Sequence, residues 1–201
     1  MNVAELKTAG GHPMGEAASA LQKCIRRGLE EEAVYWAQEL DSRFQNYVWK
    51  RLLVIAHEDI GVADQQAVLF VDLCYRQHQW FLDRGTWEYF PLINAVLALC
   101  RAKKTRAAAE LGTLIYDDPT YTLEVPDFAV DQHTPRGKRM GRGVEHFVTE
   151  GCQISNAIPS PYTERALSTY AAFPERVRDW VKDRVAAVRS KAKLQQGKLF
   201  E

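Results

Sequence analysis

The sequence is short of cysteine, has no long apolar run and carries no net charge. Its four cysteines, Cys24, Cys74, Cys100 and Cys152, stand far apart and form no C-x-x-C pair. That excludes a zinc ribbon and a dithiol redox centre, and the apolar neighbours point to buried thiols. No stretch approaches the roughly 20 apolar residues that cross a bilayer. The opening residues, 1–11, lack the basic-then-apolar order of a signal peptide. A soluble cytoplasmic protein with no membrane partner is expected. Serine is scarce, and neither a G-x-S-x-G nor an H-E-x-x-H pattern occurs. Gly10 and Gly15 have the outer spacing of a phosphate-binding loop, but Glu16 and Ala17 follow where lysine and a hydroxyl are required. A carboxylate there repels phosphate, so the chain by itself is not expected to hydrolyse nucleotide. No cofactor and no metal are expected. A metal site from His57, His133 and His146, and a dyad of Cys152 with His146, are the remaining catalytic arrangements, each less favoured than a structural role.

What is present is ordinary globular material: 201 residues, 46% hydrophobic and 26% charged, enough for one domain or a domain with an appendage. Apolar residues recur at helical steps. Ala18, Leu21, Ile25 and Leu29 mark one helix, and Ala33, Trp36, Ala37 and Leu40 a second. Val48, Leu52, Ile55 and Ala56 lie on a third over 44–58. A fourth starts at an Asp64 N-cap and carries Phe70, Val71 and Cys74 toward Phe81. Thr86 caps a fifth with Phe90, Ile93, Leu97 and Cys100 inward, and a sixth begins near Lys104. Strand-like alternation is hard to find. The fold class is therefore all-α: a helical bundle with a long irregular loop and a C-terminal amphipathic helix. Its parts are an N-terminal arm (1–14), a helical core (15–115), an acidic-then-basic loop (116–143) and a helical extension (144–201). The last helix places Val177, Val181, Val185 and Val188 on one stripe beside Trp180.

Zero net charge hides segregation. Segments 101–106, 133–143 and 176–198 hold sixteen of the twenty-six Lys and Arg residues but only two acids, Asp179 and Asp183. Brought to one face, they would attract phosphate; apart, they are solvated surface charge. The stretch 133–143 interleaves Arg136, Lys138, Arg139 and Arg142 with three glycines, which let a backbone approach an anion. With Lys103, Lys104 and Arg106 these form the candidate nucleic-acid or anion site. A second constellation runs from Arg51 to Asp64: a helix end, a turn at Gly61 and a new helix. Glu58 and Asp59 sit near a helix C-terminus, where acids need a cation to answer them. A salt-bridged corner is favoured there over a catalytic carboxylate pair.

Three separated motifs in order, Ser19 to Arg26, Ala33 to Trp36, and Arg51 to Asp64, resemble the C-terminal region of the replication-associated recombination protein A family. These AAA+ ATPases are relatives of clamp loaders and of the Werner-helicase-interacting protein. The resemblance is specific over 16–64, looser over 65–115, and loosest at the glycine-rich 137–143. It implies an all-helical, collar-like domain that assembles, to a tetramer in the family, and a link to stalled forks and DNA ends. It assigns Lys23, Arg26, Tyr35, Trp36, Arg51, Glu58, Asp59, Gly61 and Asp64 to the structural family motif. No Walker motif or lid is present, so ATP hydrolysis does not carry over. The insert at 116–135 and the tail from 163 fall outside the pattern, and the chain reads as a free-standing version of the domain or a fragment of a longer one. The expected function is a non-catalytic oligomerisation and nucleic-acid-associated module for replication, recombination or repair. Expected partners are further copies of the chain as a dimer or tetramer, DNA, and an AAA+ ATPase or other replication protein. One alternative is a protein-interaction module modulating such an ATPase without touching DNA. Another is an enzyme acting on nucleotide or nucleic acid, using Glu58, Asp59, His133 or His146.

Overall fold

The computed structural model describes residues 6–172. The regular elements of that span are all helical, with no strand and only an isolated antiparallel bridge between Lys7 and Pro13. The helices are α1 (Met14–Arg27), α2 (Glu30–Ile55), α3 (Gln65–Leu82), α4 (Phe90–Arg101), α5 (Ala107–Gly112), α6 (Pro135–Arg139), α7 (Val144–His146) and α8 (Thr163–Ala172). They divide between two compact units, Met1–Tyr121 and Thr122–Glu201. The valine stripe and Trp180 lie outside the described residues. No described helix is long and apolar enough to cross a membrane.

The core of the first unit is what the helical periodicity selects. Ala17, Ala18, Leu21 and Ile25 of α1 face Ala33, Ala37 and Leu40 of α2. Val48, Trp49, Leu52 and Ile55 continue the α2 stripe, and Val71 and Cys74 of α3 join them. Each fully buried leucine or isoleucine contributes about 1.5–3 kcal/mol. Gly28 ends α1 in the left-handed region (φ 70°), and its N–H reaches back to the Cys24 and Ile25 carbonyls. Leu29 therefore falls beyond the helix and stays exposed instead of continuing the stripe.

Two expectations change in detail. The helices over 30–40 and 44–58 are one rod, α2, interrupted only at Phe44, whose φ −130° and ψ 47° kink it. The fifth helix starts at Phe90 with Pro91 in its first turn, not at Thr86, whose hydroxyl instead donates to the Phe81 carbonyl at 3.0 Å. Its inward face is Leu92, Ala95, Val96, Leu99 and, as expected, Cys100, whereas Ile93 and Leu97 are only half-buried and Phe90 is exposed. The helix is apolar almost all round because α1, α2 and α3 all pack on it, so periodicity offers no contrast to read.

Asp64 performs as read: its Oδ1 accepts from Ala67 N–H at 3.1 Å and opens α3. Asp64→Ala is expected to cost about 1 kcal/mol in urea unfolding and Asp64→Asn almost nothing; equal losses would show that the cap is idle.

The N-terminal arm is anchored. Thr8 hydroxyl and Gly10 N–H both donate to Glu39 Oε2 on α2, at 2.6 and 3.0 Å. Those bonds, the Thr8 hydroxyl foremost, hold the Glu39 carboxyl below its ordinary range. In the one stretch with phosphate-loop spacing, Gly10 thus already meets a carboxylate, and a Cβ there would lie 2.7 Å from its oxygen. Of the thiols, Cys74 and Cys100 are buried and pushed up to about 11 by burial, Cys24 is half-buried, and Cys152 is exposed, against expectation. Cys152 closes the π turn over Phe147–Gly151, where its thiol donates to the Val148 carbonyl at 3.2 Å.

Candidate functional site

Of the residues that the resemblance assigns to the structural motif, Arg26, Arg51, Glu58 and Asp59 assemble with Gln22 into a part-buried polar clasp. Past Ile55, α2 loosens into a π turn over Ala56–Ile60 that presents Glu58 and Asp59 to α1. Gln22 and Arg26, four residues apart on one face of α1, receive them. Arg26 Nε donates to Asp59 Oδ1 at 2.8 Å and its Nη2 to Glu58 Oε1 at 2.9 Å. Gln22 Nε2 donates to Asp59 Oδ2 at 2.8 Å and to Glu58 Oε2 at 3.1 Å. Its Oε1 accepts from Arg51 Nη2 at 2.5 Å. Asp59, 1% exposed, also offers its backbone carbonyl to Thr105 N–H at 2.9 Å, and Arg106 stands 4.0 Å from Glu58. The clasp joins α1, the end of α2 and the approach to α5. Gly61 then reverses the chain at φ 49° and ψ −124°, a conformation closed to other residues. With its acids already answered by Arg26 and Gln22, the corner has the geometry of a fastening.

Tyr35 and Trp36 form a separate cluster in which the Trp36 ring meets Tyr35 and His12 edge-on, with centroids 5.0 and 5.1 Å apart. Lys23 is exposed and donates to Ser19 Oγ at 2.5 Å.

Beside the clasp the first unit shows an apolar face. α5 lies between two grooves of about 670 and 620 Å³ that share His57 and Ala108. Trp49, Leu53, Val54 and Tyr75 line the first, and Val62, Val68, Leu69 and Leu111 the second. Val62 is 75%, Leu69 70% and Leu111 56% exposed, more apolar surface than a solvated helix pair usually shows.

The candidate basic residues have different fates. Lys104 donates to the Cys100 and Ala102 carbonyls at 2.8 and 3.0 Å and caps the C-terminal end of α4, where a cation suits the helix dipole. Lys103 is exposed. The basic part of the irregular loop expected over 116–143 lies in the second unit and contains α6. Thr134 Oγ accepts from Gly137 N–H at 3.0 Å, the N-cap that starts it. Gly137 is buried so closely on Asp131 that a Cβ would sit 1.9 Å from the Asp131 carbonyl oxygen; helix packing, not anion approach, requires this glycine. Arg142 donates to both carboxylate oxygens of Asp127 at 2.6 Å and to the Asp127 and Val130 carbonyls at 2.7 and 2.6 Å. The Arg142 guanidinium holds the Asp127 carboxyl below its ordinary range. Arg142 is therefore engaged by a local acid. Arg136, Lys138 and Arg139 are exposed and make no ion pair among the described residues.

His133 is likewise local, its Nδ1 2.8 Å from Asp131 Oδ2 and its ring edge-on to Phe147. Among the described residues no three His, Cys, Asp or Glu side chains gather as metal ligands.

A protein-family model described as MgsA AAA+ ATPase C terminal matches residues 30–188. The chain belongs to this family. Among curated proteins it is similar to the replication-associated recombination protein A of Bacillus subtilis (strain 168), 30% identical over 159 residues, covering 73% of this chain and 36% of that protein. The chain thus spans little more than a third of its relative's length. The MgsA C-terminal match also corrects the reading of 116–135 and of the tail from 163 as foreign to the pattern: the match runs through the former and on to residue 188. Low sequence contrast in an irregular, proline-bearing stretch conceals such kinship from motif inspection. Gln22, the hub of the clasp, is also missed, because a neutral residue on a mostly apolar helix face signals nothing until its partners are in place. The clues are its place inside the Ser19-to-Arg26 motif and its position four residues before Arg26.

Proposed function

We propose that the chain is a non-catalytic assembly and nucleic-acid-associated module acting in DNA replication, recombination or repair. The apolar face flanking α5 carries the assembly part. Leu69 and Leu111 stand in water beside grooves large enough to take side chains from a second copy, which makes this the surface whose burial would drive a dimer or tetramer. Leu69→Asp with Leu111→Asp is expected to reduce the sedimenting mass to that of one chain while the helical circular dichroism stays unchanged. An unaltered mass would place the interface elsewhere.

Family membership supports the link to DNA, and the exposed cations of α6 supply a place for phosphate contacts. Binding through such contacts weakens steeply with salt. Replacing Arg136, Lys138 and Arg139 together by alanine is expected to weaken duplex retardation at low salt about tenfold and to flatten its salt dependence. Retardation that survives unchanged would refute α6 as the contact.

The second reading, a protein-interaction module that modulates an AAA+ ATPase or other replication protein without touching DNA, is favoured by the engagement of Arg142 with Asp127. Asp127→Asn separates the two readings. The variant removes the carboxylate charge while the backbone bonds keep Arg142 in place, so the added net positive charge beside α6 tightens DNA binding if that surface meets phosphate, and leaves it unchanged if it meets protein.

A further inference from the structure

Helix α3 is apolar on two faces. Ala67, Val71, Cys74 and His78 turn into the core, as the period of the helix requires. On the opposite side Leu69, Phe70, Leu73 and Trp80 stand 70, 41, 47 and 51% exposed. A helix with water on its outer face places polar residues there, so large apolar side chains on both sides mark a surface that is covered in use. The outer residues also keep a definite spacing. Leu69, Leu73, Arg76 and Trp80 follow one another at steps of four, three and four, the seam of two helices packed side by side. The stripe begins at the groove beside α5, which Leu69 also lines.

One charge interrupts the seam. Arg76 Nη2 lies 2.6 Å from Asp72 Oδ2 one turn earlier, and the two side chains are 74 and 43% exposed. A charge within an apolar seam selects the helix that can lie against it, because the partner must offer a carboxylate opposite the guanidinium and apolar residues on either side. A second α3 running antiparallel does both. A two-fold axis level with residue 74 sets Asp72 of each copy against Arg76 of the other and brings Leu69 alongside Trp80. A parallel pair would instead set Arg76 on Arg76 and Asp72 on Asp72. The remaining charges at the far end, Asp83 and Arg84, are of opposite sign, and Arg84 is stacked on Trp80, its guanidinium carbon 3.9 Å from the ring centroid. We propose that α3 pairs antiparallel with α3 of a second copy along this seam. The pairing rests on the reading of the chain as an assembly module and names the element through which two copies meet. The apolar stripe supplies the attraction, and the charges fix the direction.

The test is sedimentation equilibrium of the full chain carrying charge reversals. Asp72→Arg and Arg76→Asp, each alone, put like charges at both crossings of the pair. Each is expected to self-associate about tenfold more weakly than the unaltered chain at low salt, with the deficit shrinking as salt rises. Both positions lie on the surface, so the helical circular dichroism should stay unchanged. An equimolar mixture of the two variants is expected to recover the unaltered association, since every crossing between unlike copies then joins opposite signs. Adding Leu73→Asp to both is expected to abolish that recovery. Single variants that associate like the unaltered chain, a mixture no stronger than its components, or a recovery indifferent to Leu73→Asp would overturn the pairing. Leu111→Asp separates this from the wider reading. Association lost in Leu111→Asp but indifferent to the α3 charges removes the α3 pairing and leaves the α5 face. Association kept in Leu111→Asp but lost in the charge variants removes the α5 face and keeps the α3 pairing. A chain that remains single throughout overturns both.

Discussion

Asp59→Ala is expected to destabilise the first unit by about 3 kcal/mol, the lower end of the roughly 3–5 kcal/mol seen when one partner of a buried ion pair is removed. The lower end applies because the Arg26 side chain retains 27% exposure and keeps Glu58 as a partner, whereas Asp59 itself is almost wholly covered. The damage has three parts. Arg26 Nε loses its acceptor, Gln22 Nε2 keeps only the longer bond to Glu58, and a side-chain-sized gap opens between α1 and the π turn. At about 4 °C per kcal/mol for a unit of about 120 residues, thermal unfolding should fall by about 12 °C. Arg26→Met should cost less than Asp59→Ala, since Gln22 still serves the acid. The double variant should cost about 0.5–3 kcal/mol less than the sum, the coupling expected of residues in one network. Strict additivity would mean that the clasp is two unrelated contacts.

Gly137→Ala comes next in size. A Cβ at 1.9 Å from the Asp131 carbonyl oxygen cannot be accommodated by a rotamer change, because the obstacle is backbone. Either α6 shifts away from Asp131, or the turn held by the Thr134 hydroxyl bond to the same carbonyl opens. The cost belongs at the upper end of the roughly 1–3 kcal/mol for overpacking, and it is local to the second unit. Amide exchange from 131 to 142 should accelerate while the α1–α4 amides keep their protection. If α6 carries the phosphate contacts, DNA binding should weaken in the same variant even though no cation has been removed. Gly141→Ala is a useful contrast: nothing lies within 4 Å of its would-be Cβ, and its only cost is the left-handed φ of 72°.

These two positions also show where a sequence is readable and where it is not. Asp64 and the buried residues Ala18, Leu21, Ile25, Val71 and Cys74 announce themselves, because caps and helical periodicity are local effects, whereas the end of α1 at Gly28 is overrun by a stripe that reads on to Leu29. The inward face of α4 does not, because a helix enclosed by three others is apolar on every side. The kink at Phe44 is hidden for another reason: neither proline nor glycine marks it, and the segments on either side keep their own stripes. The clasp is half legible. Glu58 and Asp59 near a helix end demand a cation, but sequence proximity suggests Arg51, whereas Arg26 answers them directly and Arg51 acts through Gln22. Glycines among arginines in 133–143 suggest a pliant anion-binding strand. The actual reason for Gly137 is a close approach to a carbonyl six residues earlier, and Arg142 finds its partner fifteen residues back in Asp127. Contacts across such distances leave no spacing rule to read.

The most direct test of the account is the mass of the purified chain by light scattering, followed from micromolar to submillimolar concentration at low and at high salt. Association through the apolar face beside α5 predicts a dimer or tetramer whose mass is kept, or increased, as salt screens the surface charges. A chain that stays at a single copy throughout, or an assembly that salt dissolves, would contradict it.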